Sequence, residues 1–205
     1  MIDLYAAPTS NGLRARVMAE ECGVDYTLHA LDLAKGEHRS AEYLKINPAG
    51  LIPAMIDSDG PGGKPVTLNQ SMAIMIYLAE KTGKFVPPSQ KADPMFWQGL
   101  MNVATDMSAA LASVFTIARG PEPHKPSMEL FGKRYLDLLK IWDTDLAKSR
   151  YCAGDEISLT DFAFYPVMLR CKAVVPQYAE GCPNVDRWYD EVGARPGVKK
   201  GVTFS

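Results

Sequence analysis

The sequence predicts an α/β unit of order β-α-β-α-β-β-α over residues 1–83 and an all-helical domain over 94–205, with a linker at 84–93. Three observations predict this. Short alternating apolar runs are interleaved with helically spaced ones through the first eighty residues. An X-Pro step, Ile52-Pro53, directly precedes the strand-like run Ala54-Met55-Ile56. Beyond Pro94 the period becomes helical and stays so.

The elements follow in order. Met1-Ile2-Asp3-Leu4-Tyr5 has a short strand pattern, and 6–11 is a loop carrying Pro8, Thr9, Ser10 and Asn11. Residues 13–21 have helical spacing, with Leu13, Val17 and Met18 on one face and Gly23 as C-cap. Residues 26–33 alternate as a strand, and 42–46 form a short helical turn. Strands at 54–57 and 66–68 flank Ser58-Asp59-Gly60-Pro61-Gly62-Gly63, a turn-rich stretch that makes them a hairpin. A helix over 71–82 closes the unit. Two parallel strands joined by a helix require a right-handed crossover.

The linker contains Pro87-Pro88 and few apolar anchors. Pro94 suits the first turn of a helix over 95–118, with Phe96, Trp97, Leu100, Val103, Met107, Leu111 and Val114 near helical spacing. Residues 120–126 break the chain. A second long helix is expected over 127–147, a third from Ser158 and a fourth near Asn184. The methionine and aromatic stripes read as core and interface. Ser158-Leu159-Thr160-Asp161 is an N-capping box, with Ile157 and Phe162 at the staple positions. Its role is folding, so Ser158 and Asp161 stay outside the candidate site.

Composition excludes several classes. With 22 Lys+Arg against 24 Asp+Glu, net charge −2 and the signs interspersed, nothing marks a nucleic-acid surface. No apolar run is read as reaching the ~20 residues of a membrane helix. No leader-like segment precedes the first strand, so a cytoplasmic protein is expected. Cys22, Cys152, Cys171 and Cys182 are scattered and form no CxxC, which favours free, mostly buried thiols. His29, His38 and His124 lack metal-ligand spacing, so no metal is expected. Neither a Walker loop nor a G-x-G-x-x-G stretch is present.

The candidate site lies in the first unit. A cis bond at Pro53 would turn the chain sharply and expose the N–H and C=O of Ile52 to an extended peptide. Gln70-Ser71 opens an apolar helix, whose free N–H groups and dipole favour an anion. An edge for a peptide backbone beside a carboxylate trap suits a small acidic peptide. The same residues also read as a loop, a strand and a capped helix.

Three stretches carry a resemblance: M-I-D-L-Y-A-A-P-T-S-N-G at the start, N-P-A-G-L-I-P-A at 47–54 and Y-L-A-E-K-T-G at 77–83. With the element order, the chain resembles a glutathione transferase along its whole length, the first unit resembling that family's thioredoxin-like domain. It is most similar to the bacterial nu-class-like group, which includes glutathione-dependent disulfide-bond reductases. The resemblance implies glutathione as the bound thiol substrate and a small-molecule electrophile or disulfide as partner; a homodimer is expected because the first two long helices offer more apolar faces than one antiparallel pair needs to bury. It implies that Gln70 and Ser71 hold the γ-glutamyl end and that Ile52, between Leu51 and Pro53, pairs with the cysteinyl unit. It places His38 where that group has a glutamine facing the glycine end. It matches Arg134 to an arginine reaching for a glutathione carboxylate, although an arginine on a long helix also reads as facing solvent. Met107, Leu111 and Phe115 are expected to line the second-substrate pocket.

The thiol of glutathione ionises near 8.5 when free, and a donor aimed at the sulfur lowers that value. In the family the donor sits in the loop after strand one, which here holds Thr9, Ser10 and Asn11 and no cysteine. Tyr5 lies in the strand, too early. Asn11 falls where serine-type classes have their serine, so the thiol contact is assigned to Asn11 and Thr9, with Ser10 as the third candidate. Asn11 or Ser10 can also serve as a helix cap. An amide in place of a hydroxyl favours thiol–disulfide exchange, in which the substrates supply every thiol. The function expected is glutathione-dependent disulfide reduction, conjugation to small electrophiles, or both. The alternative is a non-catalytic member of the fold that binds glutathione or a protein.

Overall fold

The computed structural model describes residues 1–86, 88–91 and 93–204. They form two compact units, Met1–Lys84 with the segment beginning at Ala194, and Phe85–Gly193.

The first unit contains β1 (Ile2–Ala6), α1 (Ser10–Cys22), β2 (Tyr26–Ala30), α2 (Ala41–Ile46), β3 (Ala54–Asp57), β4 (Val66–Leu68) and α3 (Ser71–Thr82). The sheet order is β2-β1-β3-β4. β1 runs parallel to β2, with Ile2 opposite Tyr26, and antiparallel to β3, with Tyr5 opposite Ala54. β3 and β4 form the expected hairpin. The period-2 pattern of β1 buries Ile2, Leu4 and Ala6 and turns Asp3 and Tyr5 to the other face. There the Tyr5 ring stacks on His29 at 4.3 Å, and His29 Nε2 lies 2.8 Å from Asp3 Oδ1. α1 packs on α3, and Leu4, Met18, Met55, Ile74, Met75 and Leu78 are fully buried. Gly23 and Gly83 end α1 and α3 in the left-handed conformation.

The second unit holds α4 (Pro88–Lys91), α5 (Pro94–Met101), a π-helical stretch (Asn102–Met107), α6 (Ser108–Ala118), α7 (Lys125–Leu146), α8 (Leu159–Val174) and α9 (Pro183–Gly193). The single helix expected over 95–118 is continuous but contains this π stretch. The Asn102 side chain there accepts from Trp142 Nε1 at 2.8 Å, and Ser108 Oγ donates to the Val103 carbonyl at 2.6 Å. The same carbonyl accepts the Ser108 backbone N–H, the i+5 bond of a π turn. The expected capping box is present. Asp161 Oδ2 accepts from Ser158 N at 2.8 Å and Ser158 Oγ at 3.0 Å, while Asp161 Oδ1 accepts from Cys152 N and Trp188 Nε1.

Three expectations change. The segment from Ala194 does not group with the helical domain. It carries α10 (Pro196–Gly201), which packs on α1. Glu21 accepts from Arg195 Nη2 at 2.6 Å and from Val198 N at 3.1 Å. A Cβ on Gly201 would stand 2.6 Å from Val17 Cα, so only glycine permits this approach. The expected linker holds the short helix α4, while Pro87 and Ala92 lie outside the described residues. Finally, one helix among the described residues, Pro94–Ala118, is long and apolar enough to cross a membrane by length and composition alone. Its polar residues are uncharged except Asp106, which leaves the mean hydropathy of the segment high. A core helix passes the same test, and Phe96, Leu100, Val103, Met107, Leu111 and Val114 are buried.

Candidate functional site

The first turn of α1, the loop before β3 and the first turn of α3 carry eight of the ten candidate residues; His38 lies in a 3₁₀ turn ahead of α2 and Arg134 on α7. Thr9 is the N-cap of α1, its Oγ1 accepting from Gly12 N at 3.2 Å. That corrects the expectation that Ser10 or Asn11 caps the helix. Both lie inside it, because Thr9 N is held by the Ala7 carbonyl at 2.7 Å and Thr9 already has extended backbone. Among the described residues the backbone N–H groups of Ser10 and Asn11 have no partner. A Cβ on Gly12 would meet Ala7 O at 2.1 Å, so the tight loop over this helix start depends on glycine.

The Asn11 amide is oriented. Its Oδ1 accepts from Arg14 Nη1 at 2.9 Å and receives a long 3.5 Å approach from Ser71 Oγ. A guanidinium has donors only, so the atom facing it is the oxygen. The Nδ2 end is left without a partner among the described residues. Asn11 and Ser71 are thereby brought together from helices sixty residues apart in sequence.

Pro53 is buried and follows a cis bond from Ile52. The Leu51 carbonyl is held by Tyr43 Oη at 2.6 Å and by Asn47 Nδ2 at 2.7 Å. Burial pushes the Tyr43 phenol up to about 12, so it stays a donor. The Leu51 side chain is exposed. Ile52 N–H and C=O carry no hydrogen bond among the described residues, which leaves a short edge free beside a rigid loop. At α3, Gln70 is exposed and makes no side-chain cap bond, while Ser71 is buried. Ile74 N returns to the Gln70 carbonyl, and the N–H groups of Ser71, Met72 and Ala73 stay unpaired among the described residues. His38, in a 3₁₀ turn at Glu37–Arg39, has a buried Nδ1 without a partner.

Arg134 lies in the second unit on α7, exposed, 3.7 Å from Asp106. Met107 and Leu111 are buried, so neither offers surface to a second substrate, contrary to expectation; Phe115 is half-buried under Arg119. Tyr5 is committed to its stack on His29, and burial, then the Asp3 charge, raises its pKa. All four cysteines are free, and burial raises each thiol, Cys171 to about 12. No group of three or more His, Cys, Asp or Glu among the described residues is arranged for a metal ion.

Residues 10–81 match the family model for the glutathione S-transferase N-terminal domain, and residues 107–196 match the model for the C-terminal domain. The chain belongs to the glutathione S-transferase family. This transferase-family chain is 31% identical to the disulfide-bond oxidoreductase YfcG of Escherichia coli, over 97% of this chain and 93% of that one. A glutathione transferase from Pseudomonas putida, solved with one glutathione disulfide bound per subunit, superposes with a TM-score of 0.89 at 26% identity, covering 99% and 91% of the two chains. A family member from Pseudomonas fluorescens pf-5, solved with two glutathione molecules, gives 0.87 at 27% identity, covering 98% and 92%. The four-stranded mixed sheet with its helices is the family's thioredoxin-like domain, and the helical unit is its all-α domain.

Arg14 and Tyr43 were not singled out by sequence reasoning, and Gly12 and Asn47 entered only as ends of the stretches that carry the resemblance. Asn-Gly reads as a turn signal, a helical arginine as a surface residue, and a tyrosine or asparagine as generic. Only the fold reveals that they hold the site.

Proposed function

We propose that this chain is a cytoplasmic, glutathione-dependent disulfide reductase that also conjugates glutathione to small electrophiles. One observation carries the reductase reading: the helix start beside the free Ile52 edge offers a threonine hydroxyl and an oriented asparagine amide, and no thiol of its own. Glutathione bound as an extended peptide would pair with Ile52, between Leu51 and Pro53. Its γ-glutamyl carboxylate would sit on Ser71 and the α3 N–H groups beside Gln70. Its glycine end would meet His38, with Arg134 as the further carboxylate partner the family resemblance implies. Thr9 and Asn11 would donate to the sulfur, with Ser10 as the third candidate.

The reaction is two exchanges. The glutathione thiolate attacks one sulfur of the substrate disulfide, and the other sulfur leaves as a thiolate that takes up a proton. A second glutathione attacks the mixed disulfide and releases the second thiol. Two glutathiones are oxidised to one glutathione disulfide, and the substrate disulfide is reduced to two thiols. Hydroxyethyl disulfide is expected to turn over faster than a chlorinated nitrobenzene. Activity confined to the nitrobenzene would overturn the reductase reading, and glutathione binding with neither activity would favour the non-catalytic member. Ser71→Ala removes a charge-assisted hydrogen bond worth about 1.5–3 kcal/mol. Calorimetry should show glutathione affinity falling accordingly, and equal affinity in both proteins would sink the Ser71 assignment.

The cytoplasmic reading rests on four free, buried or half-buried cysteines, as a reducing compartment maintains them. We also infer a homodimer. Met95, Met101, Leu130 and Ile141 are exposed on α5 and α7, Leu130 at 67% and Ile141 at 60%, and a groove of about 670 Å³ runs beside Met95, Met101 and Ile141. Apolar surface of this kind is usually covered. Sedimentation should give a dimer at micromolar concentration; a monomer alone would refute it.

A further inference from the structure

We propose that Arg14 is a positioning residue for thiol activation: its guanidinium claims Asn11 Oδ1, so that the amide presents Nδ2–H to the glutathione sulfur. The inference rests on the proposed thiol contact of Asn11 and goes beyond it. Arg14 is only 2% exposed and lies one helical turn beyond Asn11 on α1. A desolvated cation needs partners, and Asn11 Oδ1 at 2.9 Å is one of them. An asparagine side chain is ambiguous by itself, since half a turn about its last bond exchanges acceptor for donor. Pointed with its oxygen at a thiolate, it would repel the charge. Arg14 removes that choice, because it cannot accept a hydrogen bond. The Ser71 hydroxyl also approaches this oxygen at 3.5 Å, but its one proton is committed to the carboxylate of bound glutathione, which leaves Arg14 as the group that orients the amide. The buried positive charge also draws electron density through the amide and makes Nδ2–H a stronger donor. Asn11 thus acts as an amide with a cation behind it, which bears on how it could stand in for a hydroxyl.

The test is the ionisation of bound glutathione, followed by the ultraviolet absorbance of the thiolate as pH is raised, together with the pH profile of kcat/KM. A cation near a titrating group typically shifts it by about one to three units. Arg14→Met should move the thiolate titration upward by about one unit. Turnover should fall about tenfold at neutral pH and recover at alkaline pH, where the thiol ionises unaided. Arg14→Lys keeps a charge and a donor and should titrate close to wild type. Asn11→Asp keeps Arg14 paired, and so keeps the fold, while removing the N–H donor; it should titrate above wild type even if Arg14→Met does not fold. A loss of activity equal at every pH in Arg14→Met would mean a merely structural role and overturn the proposal, as would Asn11→Asp titrating like wild type. The titration needs bound glutathione and no turnover. A protein that binds glutathione yet reduces no disulfide therefore overturns the reductase reading and not this one, whereas absence of binding overturns both.

Discussion

Asp161→Ala is expected to lower the thermal unfolding midpoint by roughly 6–12 °C, corresponding to about 3 kcal/mol in a chain of this size. The carboxylate is fully buried and accepts from Cys152 N, Ser158 N, Ser158 Oγ and Trp188 Nε1, each within 3.0 Å. Alanine would strand all four donors, and each buried group left without a partner costs about 1–3 kcal/mol. Relaxation and water entry keep the total below the sum. Loss of the capping box alone would cost about 0.5–2 kcal/mol. The excess over that figure measures the Trp188 and Cys152 bonds, which tie α8 to α9 and to the turn at Cys152. Asp161→Asn should be milder at Oδ1 and still disruptive at Oδ2, where an amide nitrogen would face two donors. Differential scanning calorimetry of wild type and both variants checks the ranking, and an alanine variant within about 2 °C of wild type would contradict the network's importance.

Asn11→Ala is expected to reduce kcat/KM for a small disulfide by up to about 10²–10³-fold, the typical cost of deleting a donor aimed at developing charge. Ser10→Ala should cost far less. The distinction is geometric. Asn11 has its oxygen anchored by Arg14 and its nitrogen end unpaired, whereas no side-chain bond fixes the Ser10 hydroxyl among the described residues. The Thr9 hydroxyl already accepts from Gly12 N but keeps its proton to donate, so Thr9→Val should fall between the two. Steady-state kinetics with hydroxyethyl disulfide measures all three, and a larger loss in Ser10→Ala than in Asn11→Ala would return the thiol contact to the serine.

Two local features of the candidate site were legible in the sequence. Ile52-Pro53 ahead of a strand run and Gln70-Ser71 ahead of an apolar helix are local patterns. The structure has the cis bond and the α3 start at those positions. Ser158 and Asp161 were readable for the same reason, since a capping box closes within four residues. The identity of the α1 cap was not. Thr9, Ser10 and Asn11 are all good caps, and the Ala7 carbonyl holding Thr9 N decides among them.

By itself the sequence determined the order of elements, the change from an α/β unit to helices near Pro94, and the residue types in the loop after β1. These follow from periodicity, proline and capping, whose forces act within a turn or a strand. Tertiary structure alone decided that Arg14 is buried behind Asn11, that Ser71 reaches the same amide, and that Tyr43 and Asn47 lock the Leu51 carbonyl. It also decided that α10 belongs with α1 and not with the helices that precede it, through Glu21 and the bare backbone of Gly201. The physical reason is common to all of these. Each depends on groups meeting across elements, and neither the burial of a charge nor the free side of an amide is defined until the packing around it exists.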